Sequence, residues 1–163
     1  MHKVSEADIG FIHALMNDES VMAALNEPPT PASIWTDAIA EWAQDDDEED
    51  YIICHDDEPA GWVGINGLSS GDKCTYVKVM ALLPAYRGRG TGEQILCGII
   101  QDLESRGYAS LRLHTDKANI PAQRCYAKCG FEIVEELEQR MSNGAIVDRY
   151  KMERRLNGTQ DET

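Results

Sequence analysis

The segment from Val79 to Asp116 constrains the fold most. An apolar run, VMALL (79–83), passes through PAYRGRGTG (84–92) into EQILCGIIQDLESRG, and then into the alternating stretch SLRLHTD (110–116). Ile95, Leu96, Ile99, Ile100 and Leu103 fall on one helical face, with Arg106 in the last turn and Gly107 just past it. That pattern predicts a helix that stops at the glycine. A strand, a helix and a strand in succession join parallel strands by a right-handed crossover. The chain must therefore build a sheet with at least one parallel pair, covered by helices.

The flanking sequence extends this frame. Ile12, Leu15 and Met16 predict a helix over 9–17, and PPTP (28–31) breaks the chain before a second helix. Ser33 is its expected cap, and Ile34, Ala38, Ile39 and Trp42 its apolar face. DDDEED (45–50) reads as a charged loop, followed by strands YIICH (51–55) and GWVGING (61–67) around the turn DDEP. TYVKVMALL (75–83) is the third strand, and PAQRCYAKCG (121–130) a short helix between Pro121 and Gly130. FEIVEEL and AIVDRYKME close the sheet around SNG, and NGTQDET (157–163) is a polar tail. The expectation is one α/β domain over 1–156, a mixed sheet with helices on both faces.

Charge and cysteine content narrow the function. Asp and Glu number 29 against 15 Lys and Arg, a formal net charge of −14, which repels nucleic-acid phosphates. No apolar run approaches the ~20 residues needed to cross a bilayer. The first residues, MHKVSEADIG, lack the basic start and apolar core of a secretory leader. Cys54, Cys74, Cys97, Cys125 and Cys129 form no CxxC pair, which fits free thiols in a reducing cytoplasm. Cys125 and Cys129 lie four apart on a helix, but nothing completes a metal site around them.

PAYRGRGTG admits three phosphate-binding readings beside a bare turn. A Walker loop needs Lys and then Ser or Thr after its last glycine, whereas Gly92 precedes Glu93 and Gln94. A dinucleotide fingerprint needs GxGxxG, whereas Gly88, Gly90 and Gly92 give GxGxG. The third reading uses the free N–H groups and positive dipole end of the helix that follows as an anion site. Arg87 and Arg89 would add cationic donors.

The segment NIPAQRCYAKCGF (119–131) fits N-x-x-A-x-x-x-Y-x-x-x-G-F, and Arg87, Gly90 and Gly92 fit R-x-x-G-x-G. These two blocks, in this order, resemble the GCN5-related N-acetyltransferase (GNAT) family. The resemblance implies that acetyl-CoA lies where two parallel strands splay apart, TYVKVMALL and SLRLHTD. It implies that the backbone of Met80, Ala81 and Leu82 pairs with the pantetheine arm, a strand bulge aiming one amide at the thioester carbonyl. Arg87, Gly88, Arg89, Gly90, Thr91 and Gly92 would take the pyrophosphate through their amides, and Asn119 would contact the arm. Tyr126 would be the catalytic acid that protonates the leaving thiolate. On this basis 1–50 is the acceptor-side region, 51–131 the acetyl-CoA core and 132–156 the closing strands. A homodimer is the family expectation, and no metal is implied.

The resemblance implies an acetyl-CoA-dependent N-acetyltransferase working by direct attack of an amine whose identity the motifs leave open: a small amine, a polyamine or aminoglycoside, or a peptide. A non-catalytic acyl-CoA-binding module is the alternative from another class, and an acyl-cysteine route through Cys125 or Cys129 the alternative mechanism. The family position for a carboxylate base holds Tyr76; His114, Asp72 and Asp116 stay open as proton acceptors. Trp35, Trp42 and Tyr51 either wall the acceptor pocket or pack the core. DDDEED and Asp56-Asp57-Glu58 are either solvated or draw in a cationic acceptor.

Overall fold

The strand β3 (Glu58–Asn66) is buried from Ala60 to Ile65, which requires cover on both faces and strands on both edges. It receives strands β2 (Glu49–His55) and β4 (Cys74–Leu82), both antiparallel to it. The computed structural model describes residues 1–156; the expected polar tail lies outside the described residues. The remaining strands are β1 (His2–Lys3), β5 (Ser110–Asp116), β6 (Glu132–Arg140) and β7 (Ile146–Arg155). They form a seven-stranded sheet in the order β1-β2-β3-β4-β5-β7-β6. Among the described strands only β4 and β5 run parallel, joined by the expected crossover.

Helices α4 (Thr91–Ser105) and α5 (Ile120–Lys128) cover one face, and α1 (Ile9–Met16), α2 (Glu19–Leu25) and α3 (Ala32–Trp42) the other. The α4 stripe of Leu96, Ile99, Ile100 and Leu103 is buried against Val63, Ile65, Leu111 and Leu113. Burial of each such side chain is worth about 1.5–3 kcal/mol. On the opposite face Ile12, Leu15, Val21 and Ile39 bury Ile52, Trp62 and Ala81. Three helices rather than the expected two precede the first long strand, because α2 is too short to show a period of its own. Its cap is local: Asp18 accepts from the amides of Ser20 (2.9 Å) and Val21 (3.1 Å).

Other expectations are corrected. Ser33 does not cap α3: Pro31, extended at ψ 155°, holds the cap position, and its carbonyl already accepts from Ile34 at 3.1 Å. DDDEED is not a solvated loop throughout, since Glu49 and Asp50 open β2 and Asp50 is buried. Strand alternation puts Asp50 on the face of Ile52, beneath Trp62. For Trp35 and Trp42 the core reading is the one observed: they pack on Trp62 at 5.7 and 5.2 Å between ring centroids. Tyr51 packs on the other core, its hydroxyl donating to Glu49 at 2.8 Å.

Candidate active site

A gap opens between β4 and β5 because each strand keeps its other neighbour. They pair only at Cys74–Ser110, Thr75–Leu111 and Tyr76–Arg112. Beyond that, β4 follows β3 as far as Leu82–Gly61, and β5 follows β7 as far as Asp116–Arg149. The separation begins at a bulge. Gly64 faces Val79 and Ile65 faces Val77, so Lys78 is the extra residue on β4. Such a residue bends its strand and sharpens its twist.

Backbone direction along the gap follows from one hydrogen bond. The Leu83 amide donates to Ala60 at 2.9 Å, so Leu83 faces β3. Alternation then turns the polar groups of Leu82 and Met80 to the gap and those of Ala81 to β3. Arg87 Nε donates to the Leu82 carbonyl at 3.0 Å, which leaves Met80 to offer its amide and carbonyl there.

The glycine loop leads straight into α4. Gly90 stands at the cap position with φ 77°, and Gly88 has φ 72°; no side chain caps the helix. A Cβ at either would meet nothing within 4 Å, so backbone conformation rather than crowding calls for glycine here. The first amides of α4 are thereby left open toward the cleft. On α5, Asn119 Oδ1 accepts from Ala122 N–H at 3.2 Å and caps the helix. Tyr126 packs edge-on against Phe131, ring centroids 6.0 Å apart, and burial pushes its phenol up to about 12.

A single cleft of about 600 Å3 joins these parts. It brings together Met80, Ala81 and Leu82 of β4, Arg87, Gly88, Gly90, Thr91 and Gly92 of the loop and helix start, and Asn119 and Tyr126 of α5. Arg89 does not line it and is exposed. Arg124 and Lys128, four apart on α5, also line the cleft, although the motif positions do not include them. Their spacing around Tyr126 was the available signal.

The α2 side of the cleft is formed by Val21, Ala24 and Leu25, with His114, Asp116 and Arg149. Arg149 Nε donates to Asp116 Oδ1 at 3.0 Å, and Asn26 donates to Asp116 Oδ2 at 3.1 Å. Arg149 also donates to Gln139 (3.1 Å) and to the His114 carbonyl (3.3 Å). Both oxygens of Asp116 are thus engaged in tying β5, β7 and the end of α2 together. Asp72 is far away: it holds the Cys74 amide at 2.9 Å at the start of β4. The first residue of β4 to line the cleft is Met80, six residues and about 20 Å on at the usual rise. Tyr76 stands at the closed end, where Arg112 donates to its hydroxyl at 3.4 Å. Burial pushes the Cys125 and Cys129 thiols up, and among the described residues no cluster of three or more His, Cys, Asp or Glu is arranged to hold a metal ion. No helix among them is long and apolar enough to cross a membrane.

Comparison with known proteins adds to this geometry. The chain is similar to streptothricin acetyltransferase of Escherichia coli, 27% identical over 97 residues that cover 57% of this chain and 55% of that protein. It is 37% identical to mycothiol acetyltransferase of Corynebacterium aurimucosum over 60 residues, 37% of this chain and 20% of that protein. The chain thus spans about half or less of the curated relatives it matches. A spermidine N-acetyltransferase from Vibrio cholerae, solved with CoA and spermine, superposes with a TM-score of 0.85 at 18% identity, over 94% of this chain and 93% of that one. Ribosomal-protein-alanine N-acetyltransferase from Brucella melitensis gives 0.78 at 18% identity, over 95% and 98%. At this identity the likeness is one of fold. The sequence model of the acetyltransferase (GNAT) family matches residues 10–131. With the splayed parallel pair, the glycine-led helix and that match in agreement, the chain belongs to the acetyltransferase (GNAT) family.

Proposed function

We propose that the protein is an acetyl-CoA-dependent N-acetyltransferase that works by direct attack of an amine. The observation that carries this reading is the loss of β4–β5 pairing beyond Tyr76, beside a glycine-led helix start and above Tyr126. A substrate with a pyrophosphate at one end and a thioester at the other suits the cleft on three counts. The α4 amides and the side chains of Arg87, Arg124 and Lys128 favour the anionic end. The Met80 backbone offers strand-like pairing to an extended arm. A volume of about 600 Å3 admits a ligand of this class.

When bound, acetyl-CoA would supply the activated acyl carbon. Tyr126 keeps its proton through the neutral range, because burial raises its pKa to about 12. Against a thiol reference near 8.5, so weak an acid stabilises the departing sulfur chiefly as a hydrogen-bond donor. The Met80 amide, next to the bulge, is the donor best directed at the thioester oxygen. Cys125 and Cys129, held protonated by burial, are poor nucleophiles, which favours direct attack over an acyl-cysteine.

The acceptor reaches the gap from the α2 face, past Val21, Ala24 and Leu25. The lining carboxylates are Glu93, in the first turn of α4, and Asp116, already engaged by Arg149 and Asn26. A polyamine therefore finds no free carboxylate among the described lining residues of that side. We infer an amine with apolar or neutral surroundings, handled in the cytoplasm on the family's homodimeric pattern.

Release of CoA from acetyl-CoA, followed across alkylamines, amino-acid esters, peptides and polyamines, tests the reading. Turnover with a monoamine, falling about 100-fold in Tyr126→Phe with acetyl-CoA affinity retained, is the expected result. Acetyl-CoA binding without turnover on any amine would favour a binding module instead.

A further inference from the structure

Successive side chains of a strand point to opposite faces of its sheet. Leu111 and Leu113 of β5 pack in the core beneath α4 and α5, so His114 projects to the face that carries α2. Tyr126 approaches the same cleft from the α5 side. The gap therefore has a phenol on one side and an imidazole on the other.

The surroundings fix the imidazole and leave its nitrogens available. Its ring lies nearly parallel to Tyr76, at 12° and 6.2 Å between centroids. Among the described residues, the hydrogen bond His114 receives from a side chain is that of Arg149 to its carbonyl, and neither ring nitrogen has a partner. The charged groups around it come from β5, β6 and β7, while β4 contributes the Tyr76 ring. Lys151 stands opposite on β7 and pairs with Glu135 of β6 at 3.6 Å; Arg149 lies on the same strand. Arg112, on the same face of β5, is held by Glu153 at 2.6 Å, and Asp116 by Arg149. Burial first, then the Arg149 and Lys151 cations, hold the His114 pKa below its ordinary value, against a smaller opposing effect of Glu135. The ring is a neutral base at pH 7.

We propose that His114 is the general base that takes the proton of the attacking amine. The proposal rests on the cleft being the acetyl-CoA site. The amine nitrogen forms a bond to the acyl carbon and its N–H bond breaks, the proton passing to a ring nitrogen of His114. The C–S electron pair leaves with sulfur, which accepts a hydrogen bond from Tyr126 and takes its proton from solvent, and His114 returns the amine's proton to solvent. Asp116 and Asp72 are spoken for by the contacts above, and Tyr76 is a phenol at the closed end of the pair.

The test combines kinetics with imidazole NMR on the full chain. Wild type, His114→Ala and His114→Gln are compared from pH 5.5 to 9.5, with acetyl-CoA and the best amine of the panel. Both variants should lose about 100-fold or more in kcat/KM at pH 7, with the acid limb of the wild-type profile removed and partial recovery at high pH. Acetyl-CoA affinity by calorimetry should stay within about twofold, and Gln should retain the wild-type Tm. The pKa of the limb should match the His114 titration seen by NMR. A variant with unchanged rate and limb overturns the proposal while leaving the acetyltransferase reading intact. Failure of wild type to bind acetyl-CoA overturns both. If no amine turns over, His114 ring signals that stay unmoved on addition of acetyl-CoA overturn it. Ring signals that shift, with slow acetyl-CoA hydrolysis lost in His114→Ala, support it.

Discussion

Lys78 Nζ lies 3.2 Å from Asp50 Oδ1, and Lys78 is the extra residue of the β4 bulge. Its ammonium also contacts Glu48 and lies 4.2 Å from the centroid of the Trp42 ring and 5.2 Å from that of Trp62. Its stem crosses Gly64, where any side chain would collide with Asp50 and Lys78. Trp62 donates to the same Asp50 oxygen at 2.8 Å, and Asp50 Oδ2 is buried without a hydrogen-bond partner among the described residues. Two carboxylates and two indoles thus pin the one residue at which β4 turns away from β5.

Asp50 makes this latch sensitive to pH. Burial raises its carboxyl to about 7, above the unfolded value, so the native state holds a proton that the unfolded chain has lost. Its stabilising effect is complete below about pH 4 and is lost as pH rises through 7. In urea titrations, Asp50→Asn should remove this decline. The difference in unfolding free energy between variant and wild type should change by on the order of 2–4 kcal/mol between pH 4 and 8.

Gly90 carries the conformation that starts α4. Gly90→Ala should cost about 1–2 kcal/mol, because φ 77° is unfavourable for a residue with a Cβ. A thermal melt should fall by several degrees, and acetyl-CoA affinity should fall with it. Gly90→Asn should lose less, since Asn tolerates the left-handed region.

Arg124 and Lys128 add two cationic side chains to the lining of the cleft. The double change Arg124→Glu and Lys128→Glu should weaken acetyl-CoA binding at least about tenfold in dilute buffer. The loss should shrink near 1 M salt, where exposed charges are screened within about 3 Å. Equal loss at both ionic strengths would mean that the two side chains act by packing.

Arg149 ties the α2 end to the sheet through Asp116. Arg149→Ala leaves that carboxylate with Asn26 alone, a loss of about 1.5–3 kcal/mol for a charged hydrogen bond. Amide exchange within Glu19–Leu25 should accelerate, and the acceptor KM should rise more than that for acetyl-CoA. Unchanged exchange in α2 would show that the β6–β7 turn, through the Asn143 amide on the Asn26 carbonyl at 3.2 Å, holds the helix by itself.

Much of the donor side is legible in the chain alone, because its signals are local. Gly90 needs an unusual φ, Asn119 caps its own helix, and the apolar stripe of α4 repeats at helical spacing. The acceptor side is not legible in the same way. Asp18 caps a seven-residue helix too short to show a period, and Trp35 and Trp42 read better as core than as pocket wall, which leaves the acceptor side without a marker of its own. Arg89 sits in the motif beside Arg87, yet Arg87 lines the cleft and Arg89 does not. Neighbouring residues in an irregular loop share no periodicity from which direction could be read.

The sequence by itself determined the strand–helix–strand crossover, the glycine-led helix start and the family, since each depends on residues close together in the chain. Only the tertiary structure decided which carboxylates were free. Asp50 entered a core because β2 register set it beneath Trp62, and Asp116 was taken up by Arg149, far along the chain. Only the structure also set Tyr126 and His114 on opposite sides of one gap. That arrangement follows from a single extra residue, Lys78, whose partners Glu48 and Asp50 lie two strands away. Pairings between distant segments fix such things, and no local pattern in the chain encodes them.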